Sequence, residues 1–380
     1  MKIKVNHYKI YDEKFNNWWS EVDNNWVYDD FMADEKYKKG WISLTSLACH
    51  DAEDALYVGV GSFSNELLWR FDRKTKEFKS MGYEKVGDKY DCKFHRSLEI
   101  DDNGMIYAAP ALFHDIDKQF EAKGGRLLRF DTRTGKFEFL ALPFERAYVQ
   151  SIALDRKRGI VYGFGAVPEV FWRYDISTGK SRFISYIGNG AELSEAHCPV
   201  IDDNGCVWGT YGIIRAFAYD QGPDSLRMFR YNPDNDRMDF FKFGLPPVRG
   251  DKGKIDTALN GNDGFIYFGT MGGSLVRFNP ETFDMKSYGC PGSKGRLAGL
   301  VRGGDGLLYG ISGDVHEVFL FTFDTVRECF VDIVPFFDRD AGISPDKIHH
   351  MVMTGDGVIY AGENDNNSRS SYLWECIIEK

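Results

Sequence analysis

Residues 356–360 read DGVIY, and variants of this short stretch recur along the whole chain. Each copy joins a turn, in most copies one rich in Asp, Asn and Gly, to a short apolar strand that ends in an aromatic residue. The copies end at Tyr57, Tyr107, Tyr162, Trp208, Tyr267, Tyr309 and Tyr360. The spacing between them runs from 42 residues (Tyr267 to Tyr309) to 59 residues (Trp208 to Tyr267). Since such turns supply the positive φ that tight hairpins require, each copy predicts a β-hairpin.

A second motif follows most hairpins: an aromatic-rich strand that ends in Asp or Asn, a turn, and one more strand. Clear examples are LLRFDTRTGKFEF at 127–139 and FWRYDISTGKSRF at 171–183. Each repeat then holds four antiparallel strands, and repeats of roughly 40 to 50 residues with four strands are typical of β-propeller blades. The sequence therefore predicts an all-β, seven-bladed propeller with four antiparallel strands per blade, forming a single domain over residues 1–380.

The last repeat ends at its third strand, SYLWECIIEK at 371–380, and lacks a fourth. The N-terminal stretch KIKVNHYKI at 2–10 has strand character and no other partner. We expect it to supply the missing strand and to close the ring, which leaves no open sheet edge. Residues 1–40 would then contain the closing strand and a segment lying across one face, and residues 41–380 the seven blades.

The composition narrows the choice of partners. The formal net charge of −10 disfavours nucleic acid and anionic membranes, which bind basic surfaces. No apolar run approaches the roughly 20 residues of a membrane span, and the N-terminus lacks a secretory pattern. The seven cysteines are dispersed, as expected for reduced thiols. We expect a cytoplasmic monomer, although a chain trimmed of its signal would look the same.

The functional residues of a propeller are expected on one rim, where loops enter the first strand of each blade and join its second and third strands. Polar residues recur eleven positions before the repeat aromatic, where uneven turns can shift the register by one residue. These positions hold Ser46, Arg96, Ser151, His197, Asp256, Ala298 and His349. Two positions earlier, the last three repeats carry Lys254, Arg296 and Lys347.

The second repeat is the richest in candidate residues. Its first strand begins with Lys93, Phe94, His95 and Arg96, and its long second loop carries His114. The two histidines belong to the first strand and to the loop after the neighbouring second strand, so we expect them to approach each other. Further candidates on the same rim are Arg146, Tyr148, His197, Tyr211 and Arg215.

Histidines, a tyrosine and several cations around one pocket suit β-elimination next to a carboxylate. His can serve as the base near neutral pH, cations stabilise the enolate-like intermediate, and a tyrosine hydroxyl can protonate the leaving oxygen.

In this pattern the segment KFHRSLEIDDNGMIYAAPALFH, at 93–114, resembles the seven-bladed propeller polysaccharide lyases of the ulvan lyase and L-rhamnose-α-1,4-D-glucuronate lyase type. The resemblance implies elimination on a uronate-containing, acidic oligosaccharide. It implies that His95 and His114 provide the base, with Tyr148 as acid and Arg146 as the cation. The family's arginine usually follows the tyrosine by one hairpin, where this chain has none before Arg173. The expected substrate contacts are Lys93, Arg96, His197, Tyr211, Arg215, Lys254 and Arg296.

Three alternatives stay open. The first is a hydrolase similar to an α-rhamnosidase, in which Glu195 or Glu363 activates water. The second is a metal-dependent propeller lyase or lactonase, including the streptogramin-lyase-like group. The lyase hypothesis requires no cofactor, but this alternative would place a divalent ion (Ca, Mn or Zn) in the central channel on His197, Asp256 and His349. The third is a non-catalytic binding propeller.

Overall fold

The computed structural model describes residues 1–17, 27–189, 194, 197–214, 216–217, 226–247, 253–292, 295–315 and 317–379. The chain divides into two compact units. Unit 1 comprises Met1–Val149 and Phe336–Lys380, and unit 2 comprises Gln150–Pro335. The described residues form an almost entirely β structure, as the sequence predicts.

Unit 1 begins with β1 (Lys2–Tyr8), β2 (Ile42–His50), β3 (Ala55–Ser62), β4 (Leu68–Asp72), β5 (Phe78–Ser80), β6 (Asp91–Lys93), β7 (Leu98–Ile100), β8 (Met105–Ala108), β9 (Ala111–Leu112), β10 (Leu127–Asp131) and β11 (Lys136–Ala141). Strand β12 (Tyr148–Asp155) leads into unit 2. Unit 2 continues with β13 (Ile160–Ala166), β14 (Glu169–Asp175), β15 (Lys180–Gly188), β16 (Val200–Ile201), β17 (Val207–Gly212), β18 (Leu226–Asn232), β19 (Arg237–Phe240), β20 (Ile255–Asn260), β21 (Ile266–Thr270), β22 (Leu275–Phe278), β23 (Met285–Ser287), β24 (Leu297–Arg302), β25 (Leu308–Asp314), β26 (Glu317–Asp324) and β27 (Cys329–Pro335). The chain returns to unit 1 with β28 (Ile348–Met353), β29 (Ile359–Glu363) and β30 (Leu373–Glu379).

The helical segments are short. They are α1 (Tyr28–Ala33), a π-helical turn (Lys36–Gly40) and three 3₁₀ turns (Asp51–Glu53, Tyr83–Lys85 and Ile116–Lys118). Among the described residues, no helix is long and apolar enough to cross a membrane.

Antiparallel strands pair in sequence order in both units, so the predicted four-stranded repeat is confirmed. Unit 1 contains β2–β3–β4–β5, extended at β3 by β6 and β9, as well as β7–β8–β10–β11 and β28–β29–β30–β1. Unit 2 contains β20–β21–β22–β23 and β24–β25–β26–β27. It also contains β12 to β15 and β16 to β19, joined by one parallel pair, Gly188 with Gly212. The number of blades and the single domain stay predictions.

The repeat turns behave as their residues dictate. Gly104 and Gly357 adopt φ values of 77° and 85°, the left-handed region that glycine enters without steric cost. The first repeat lacks a glycine at this point, and Asp54 takes φ 49° instead. The turn carboxylate of Asp101 accepts the backbone N–H groups of Asn103 and Met105 at 2.9 Å each. These acidic residues are therefore turn formers, as the sequence indicates.

The predicted pairing of the N-terminal strand with the last sheet is confirmed. Strand β1 pairs antiparallel with β30, from Lys2 opposite Glu379 to Tyr8 opposite Leu373. Glu375 of β30 accepts hydrogen bonds from Asn6 and Tyr8 of β1, at 2.9 and 2.8 Å. The first strand in the chain thus completes the last sheet.

The segment after β1 is described only in part, because residues 18–26 lie outside the described range. Its helix α1 packs Phe31 in a stack on Phe63, with 4.6 Å between the ring centroids. Tyr28 of α1 contacts Tyr90, and these residues share an apolar cluster with Trp41. The described part of the segment therefore covers the sheet that contains β3.

Candidate functional site

A β-bulge recurs in the first strand of several sheets, and it positions the candidate polar residues. In unit 1 the register skips Thr45 in β2 and His349 in β28, and in unit 2 it skips Asp256 in β20 and Ala298 in β24. A bulged residue lies outside the regular alternation of the strand, and bulges re-aim side chains. The sequence alignment places all of these correctly except in β2.

The expected residue in β2 is Ser46, but the bulged one is Thr45. The turn after β2 is one residue shorter, because His50 pairs with Ala55 whereas Met353 pairs with Ile359. The Thr45 hydroxyl donates a 2.7 Å hydrogen bond to the Phe94 carbonyl. Ser46 is buried beside it, and its hydroxyl oxygen has no partner among the described residues.

The central feature of unit 1 is a pair of buried histidines. The Nε2 atoms of His95 and His349 lie 2.9 Å apart, and their rings meet edge to face with centroids 4.4 Å apart. The side chain of His349 is 1% exposed and that of His95 is 9% exposed. The two residues are far apart in sequence, and the structure brings them into a direct hydrogen bond.

Two groups approach Nδ1 of His349: the Arg96 Nε–H, which can only donate, at 3.4 Å, and the carbonyl of Thr45. This Nδ1 lies 3.1 Å from the carbonyl oxygen of Thr45, which can only accept. With the proton of His349 on Nδ1, facing the closer Thr45 carbonyl, its Nε2 accepts from the Nε2–H of His95. In this arrangement the lone pair of His95 is on Nδ1. In this tautomer, Nδ1 of His95 is the atom that can act as a base toward a substrate.

Arg96 places a positive charge against the histidine pair. Its Nε lies 3.4 Å from Nδ1 of His349, and the residue is buried. Arg96, two residues before β7, adopts φ 49°, a left-handed conformation that turns the chain at this point. The predicted cation of the second repeat therefore lies beside His349.

His350 points elsewhere, as expected for a neighbour on the same strand. Its Nδ1 accepts the backbone N–H of Leu47 at 3.0 Å. Burial lowers the pKa of His350 to about 3, and the charge of Arg96 acts in the same direction. His350 is therefore a neutral packing residue, and of the two adjacent histidines only His349 contacts His95.

Lys93 lies at the end of β6, two residues before His95. Its Nζ donates a 3.2 Å hydrogen bond to Oδ1 of Asn364, just after β29. Lys93 is half-buried, so the second repeat contributes two cations and one histidine to the same region of unit 1.

The predicted pairing of His95 with His114 is wrong. His114 Nδ1 lies 2.8 Å from the carbonyl oxygen of Asp115, and the ring packs edge to face on Tyr90. Strand β9 pairs with β6 so that Leu112 lies opposite Asp91. The chain after β9 therefore runs toward Tyr90, away from His95, and takes His114 with it.

The two other predicted catalytic residues occupy the entry to β12. Arg146 is exposed, and its guanidinium lies over the ring of Phe120 at 5.2 Å. Tyr148 is the first residue of β12 and is half-buried. Arg146 is thus not part of the buried histidine pair.

Unit 2 holds a second buried polar cluster. Arg296 donates two hydrogen bonds of 2.5 Å to the two carboxylate oxygens of Asp256. His197 Nδ1 lies 3.7 Å from Asp256 Oδ1, and Lys254 is half-buried two residues before Asp256. The expected polar residues His197, Lys254 and Arg296 therefore gather around one carboxylate.

The sequence also predicts that Tyr211 and Arg215 contact the substrate. The hydroxyl of Tyr211 donates a 2.7 Å hydrogen bond to the carbonyl of Phe241, so it ties β17 to the segment after β19. Arg215 lies outside the described residues.

The metal hypothesis receives no support from the described residues. Both oxygens of Asp256 are engaged by Arg296, and His349 makes its hydrogen bonds within unit 1. Within the described ranges, no group of three or more His, Cys, Asp or Glu side chains could hold a metal ion.

The hydrolase hypothesis loses one of its two carboxylates. Glu363 is fully buried and is held by Arg369 through two hydrogen bonds, at 2.8 and 2.9 Å. Its oxygens also accept the backbone N–H groups of Asp346 and Tyr372. Because these contacts saturate the carboxylate, Glu363 is a structural residue. The other candidate, Glu195, lies outside the described residues.

Comparison with known proteins identifies the fold. No protein-family model matches the chain, and no curated protein matches it. A catalytically inactive virginiamycin B lyase from Staphylococcus aureus, solved with quinupristin, aligns with a TM-score of 0.62 at 12% identity over 100% of both chains. A streptogramin B lyase aligns with a TM-score of 0.61 at 10% identity, over 91% of this chain and 100% of that chain.

A third neighbour is the extracellular domain of BT4673 from B. thetaiotaomicron, with a TM-score of 0.58 at 14% identity. That match covers 87% of this chain and 38% of the other, so the present chain spans a little over a third of its length. These neighbours support the propeller part of the predicted resemblance and not the ulvan lyase type. At such identities the likeness shows the fold alone, and the chain has an all-β, propeller-like fold.

Proposed function

We propose that this chain is a carbon–oxygen lyase that cleaves an acidic oligosaccharide by β-elimination, with His95 as the base. The observation that carries the proposal is the buried His95–His349 pair, with 2.9 Å between the Nε2 atoms, beside the guanidinium of Arg96. A histidine base next to a cation suits proton abstraction beside a carboxylate.

The reaction can be written with each atom accounted for. His95 Nδ1 takes the proton on C5 of a uronate, next to the carboxylate. The electron pair of that C–H bond forms the C4–C5 double bond, and the C4–O4 bond breaks. The departing oxygen takes up a proton and becomes a hydroxyl group, and Tyr148 is the sequence-based candidate for that donor. His95 returns its proton to solvent, so no oxidant or reductant is needed.

The neighbours of His95 have separate roles in this scheme. His349 is assigned as a positioning residue: with its proton on Nδ1, facing the Thr45 carbonyl, its Nε2 accepts the Nε2–H of His95 and leaves the His95 lone pair on Nδ1. Arg96 supplies the positive charge that stabilises the carboxylate as it gains enolate character. Burial of His349 and Arg96 lowers the local dielectric constant, which strengthens electrostatic interactions there.

The comparisons agree with a lyase at the level of fold. Two of the solved neighbours are named as lyases, and each aligns over its whole length. The acidic oligosaccharide substrate rests on the cation Arg96 beside the histidine pair, on Lys93 two residues before His95, and on the residues in the sequence that resemble uronate lyases.

The first experiment measures ultraviolet absorbance while the protein is mixed with a panel of uronate-containing oligosaccharides. Elimination creates a double bond conjugated with the carboxylate, so absorbance rises as product forms. We expect His95→Ala to lower kcat by about 100-fold to 10,000-fold, the usual contribution of a positioned base. His50→Gln serves as the control, since His50 is a half-buried histidine of unit 1 beside Glu53 in the turn between β2 and β3.

To test the role of His349, we use a property that loss of a mere packing residue would leave unchanged, the pH dependence of kcat. We expect His349→Ala to change the pH dependence of kcat, because the tautomer of His95 is no longer fixed. A variant with reduced kcat and an unchanged pH profile would make His349 a packing residue. Release of reducing sugar without a rise in ultraviolet absorbance would reject elimination and favour hydrolysis.

His114→Ala compares the sequence-based site with the structural one. The structure predicts a smaller loss of kcat than for His95→Ala, because His114 contacts Asp115 and Tyr90. Losses of equal size in both variants would restore the predicted His95–His114 pair.

A second candidate is the same type of elimination on a substrate like those of the named neighbours. It is favoured by the full-length match to a virginiamycin B lyase that was solved with quinupristin. Quinupristin therefore belongs in the panel. Its consumption by wild type and not by His95→Ala, with every oligosaccharide left intact, would select this candidate.

A further inference from the structure

An exposed aromatic ring and an exposed arginine form a small platform on unit 1. Phe120 lies just after the 3₁₀ turn Ile116–Lys118 and is 81% exposed. The guanidinium of Arg146 lies 5.2 Å from the centre of its ring. At this exposure the ring of Phe120 contributes little to the core, and its face is open to a ligand.

The backbone fixes this platform in place. The N–H of Arg146 donates a 2.8 Å hydrogen bond to the carbonyl of Lys123, and the side chain of Gln119 donates to the carbonyl of Arg146 at 3.2 Å. Arg146 itself adopts φ 60°. The loop that carries Phe120 is therefore hydrogen-bonded to the turn that carries Arg146 through one residue before Phe120 and one residue after it.

Arg146 differs from the other arginine that lies over an exposed phenylalanine in unit 1. Arg126 lies 5.8 Å from the ring of Phe139, but its guanidinium is paired with Asp88 and Asp91. The guanidinium of Arg146 has no carboxylate partner among the described residues. Its five donors therefore remain available for an anion.

The charges around the platform are largely balanced within the loop. Lys118 lies 3.6 Å from Asp117 and 3.2 Å from Glu121, so these carboxylates already have a counter-ion. Glu121 also accepts the hydroxyl proton of Tyr90. Glu145, next in sequence to Arg146, is the exposed carboxylate that would oppose an anion there.

We propose that Phe120 and Arg146 form a subsite for a uronate ring, outside the buried histidine pair. A sugar ring has a C–H face that packs on an aromatic side chain, and a uronate adds a carboxylate that an arginine binds through two parallel hydrogen bonds. The platform offers both partners side by side. The proposal deepens the proposed lyase function, on which it rests for its substrate class.

Binding is measured by calorimetry on the full-length His95→Ala variant, so that no turnover occurs during the titration. One probe is a tetrasaccharide that contains glucuronate, and the other is the same tetrasaccharide with its carboxylates reduced to primary alcohols. We expect Arg146→Gln to weaken binding of the acidic probe about 10-fold, the scale of one charge-assisted pair, and to leave the reduced probe unchanged. Phe120→Ala should weaken both probes about 3-fold to 10-fold.

Two further variants sharpen the test. Phe139→Ala removes the other exposed phenylalanine under an arginine and should change neither affinity, because Arg126 is already paired. Glu145→Gln removes the nearby negative charge and should strengthen binding of the acidic probe alone. Equal weakening of both probes by Arg146→Gln, or no binding of the acidic probe to the parent protein, would overturn the uronate subsite.

The experiments distinguish failure of the subsite hypothesis from failure of the lyase hypothesis. Binding that depends on Phe120 and Arg146, without any elimination by wild type, would retain the subsite and reject the lyase. Elimination whose KM is the same in wild type, Phe120→Ala and Arg146→Gln would retain the lyase and reject the subsite.

Discussion

At the scale of single residues, two adjacent histidines show how the backbone assigns different chemistry to identical side chains. His349 is the bulged residue of β28 and pairs with His95, whereas His350 accepts a backbone N–H from Leu47. The bulge decides which of the two turns toward His95 and Arg96. His350, held neutral by burial, then contributes to stability in a pH-dependent way.

Because burial lowers the pKa of His350 to about 3, we expect the free energy of unfolding to decrease in acid. Below the ordinary histidine value of 6.5 the unfolded chain takes up a proton that the folded chain refuses. Stability is therefore fully present above pH 6.5 and falls, as the pH drops toward 3, by up to about 1.4 kcal/mol per pH unit. The variant His350→Gln keeps an acceptor for the backbone N–H of Leu47, but it has no imidazole that the unfolded chain could protonate.

Urea unfolding at several pH values checks the prediction. The difference in free energy of unfolding between wild type and His350→Gln should shift in favour of the variant at each step below pH 6.5. A difference that stays constant from pH 7.5 to 5 would show that His350 titrates normally in the folded state.

At the scale of elements, the N-terminal strand is held by one buried carboxylate. Glu375 of β30 accepts from Asn6 and Tyr8 of β1 and from Tyr360 of β29, and it pairs with Lys76 at 2.5 Å. Burial by itself would raise the pKa of Glu375, but these donors favour the ionised form and the net direction is downward. A depressed carboxyl pKa contributes stability that is present above the unfolded value of 4.5 and is lost as the pH falls through the folded value.

Glu375→Gln is therefore expected to lower the free energy of unfolding at pH 7 by about 1 to 3 kcal/mol, since it weakens hydrogen bonds to a buried charge. The variant should also lose less stability than wild type below pH 4.5. Glu379→Gln, an exposed position at the end of the same strand, is the control and should behave like wild type. Chemical denaturation at pH 7 and pH 4 measures both effects. Equal destabilisation at the two pH values would contradict the role of the charge.

At the scale of the whole molecule, the net charge disfavours binding of a polyanion. Asp and Glu outnumber Lys and Arg by 57 to 47, which gives a net charge of −10. The cations Lys93 and Arg96 of the candidate site are local and buried or half-buried, so they act on groups that enter the site. The surrounding negative charge repels an extended phosphate backbone.

We therefore expect no binding of double-stranded DNA or RNA in a gel-shift assay at low salt, where electrostatic attraction is strongest. Binding of the glucuronate tetrasaccharide should persist under the same conditions. Retention of DNA that weakens steeply with added salt would show that the chain carries a basic surface that its composition conceals.

The sequence by itself determined the repeat, the four antiparallel strands, the pairing of the N-terminal strand with the last sheet and the positions of Asp256 and His349 in their strands, because turns and alternating strands are local patterns. It also determined that acidic turn residues are structural. It did not determine the pairing of His95 with His349, since that contact joins residues from opposite ends of the chain. The direction in which β9 leaves β6 decided that His114 contacts Tyr90, and the length of one turn decided between Ser46 and Thr45. Such choices depend on strand register and packing, which only the tertiary structure fixes.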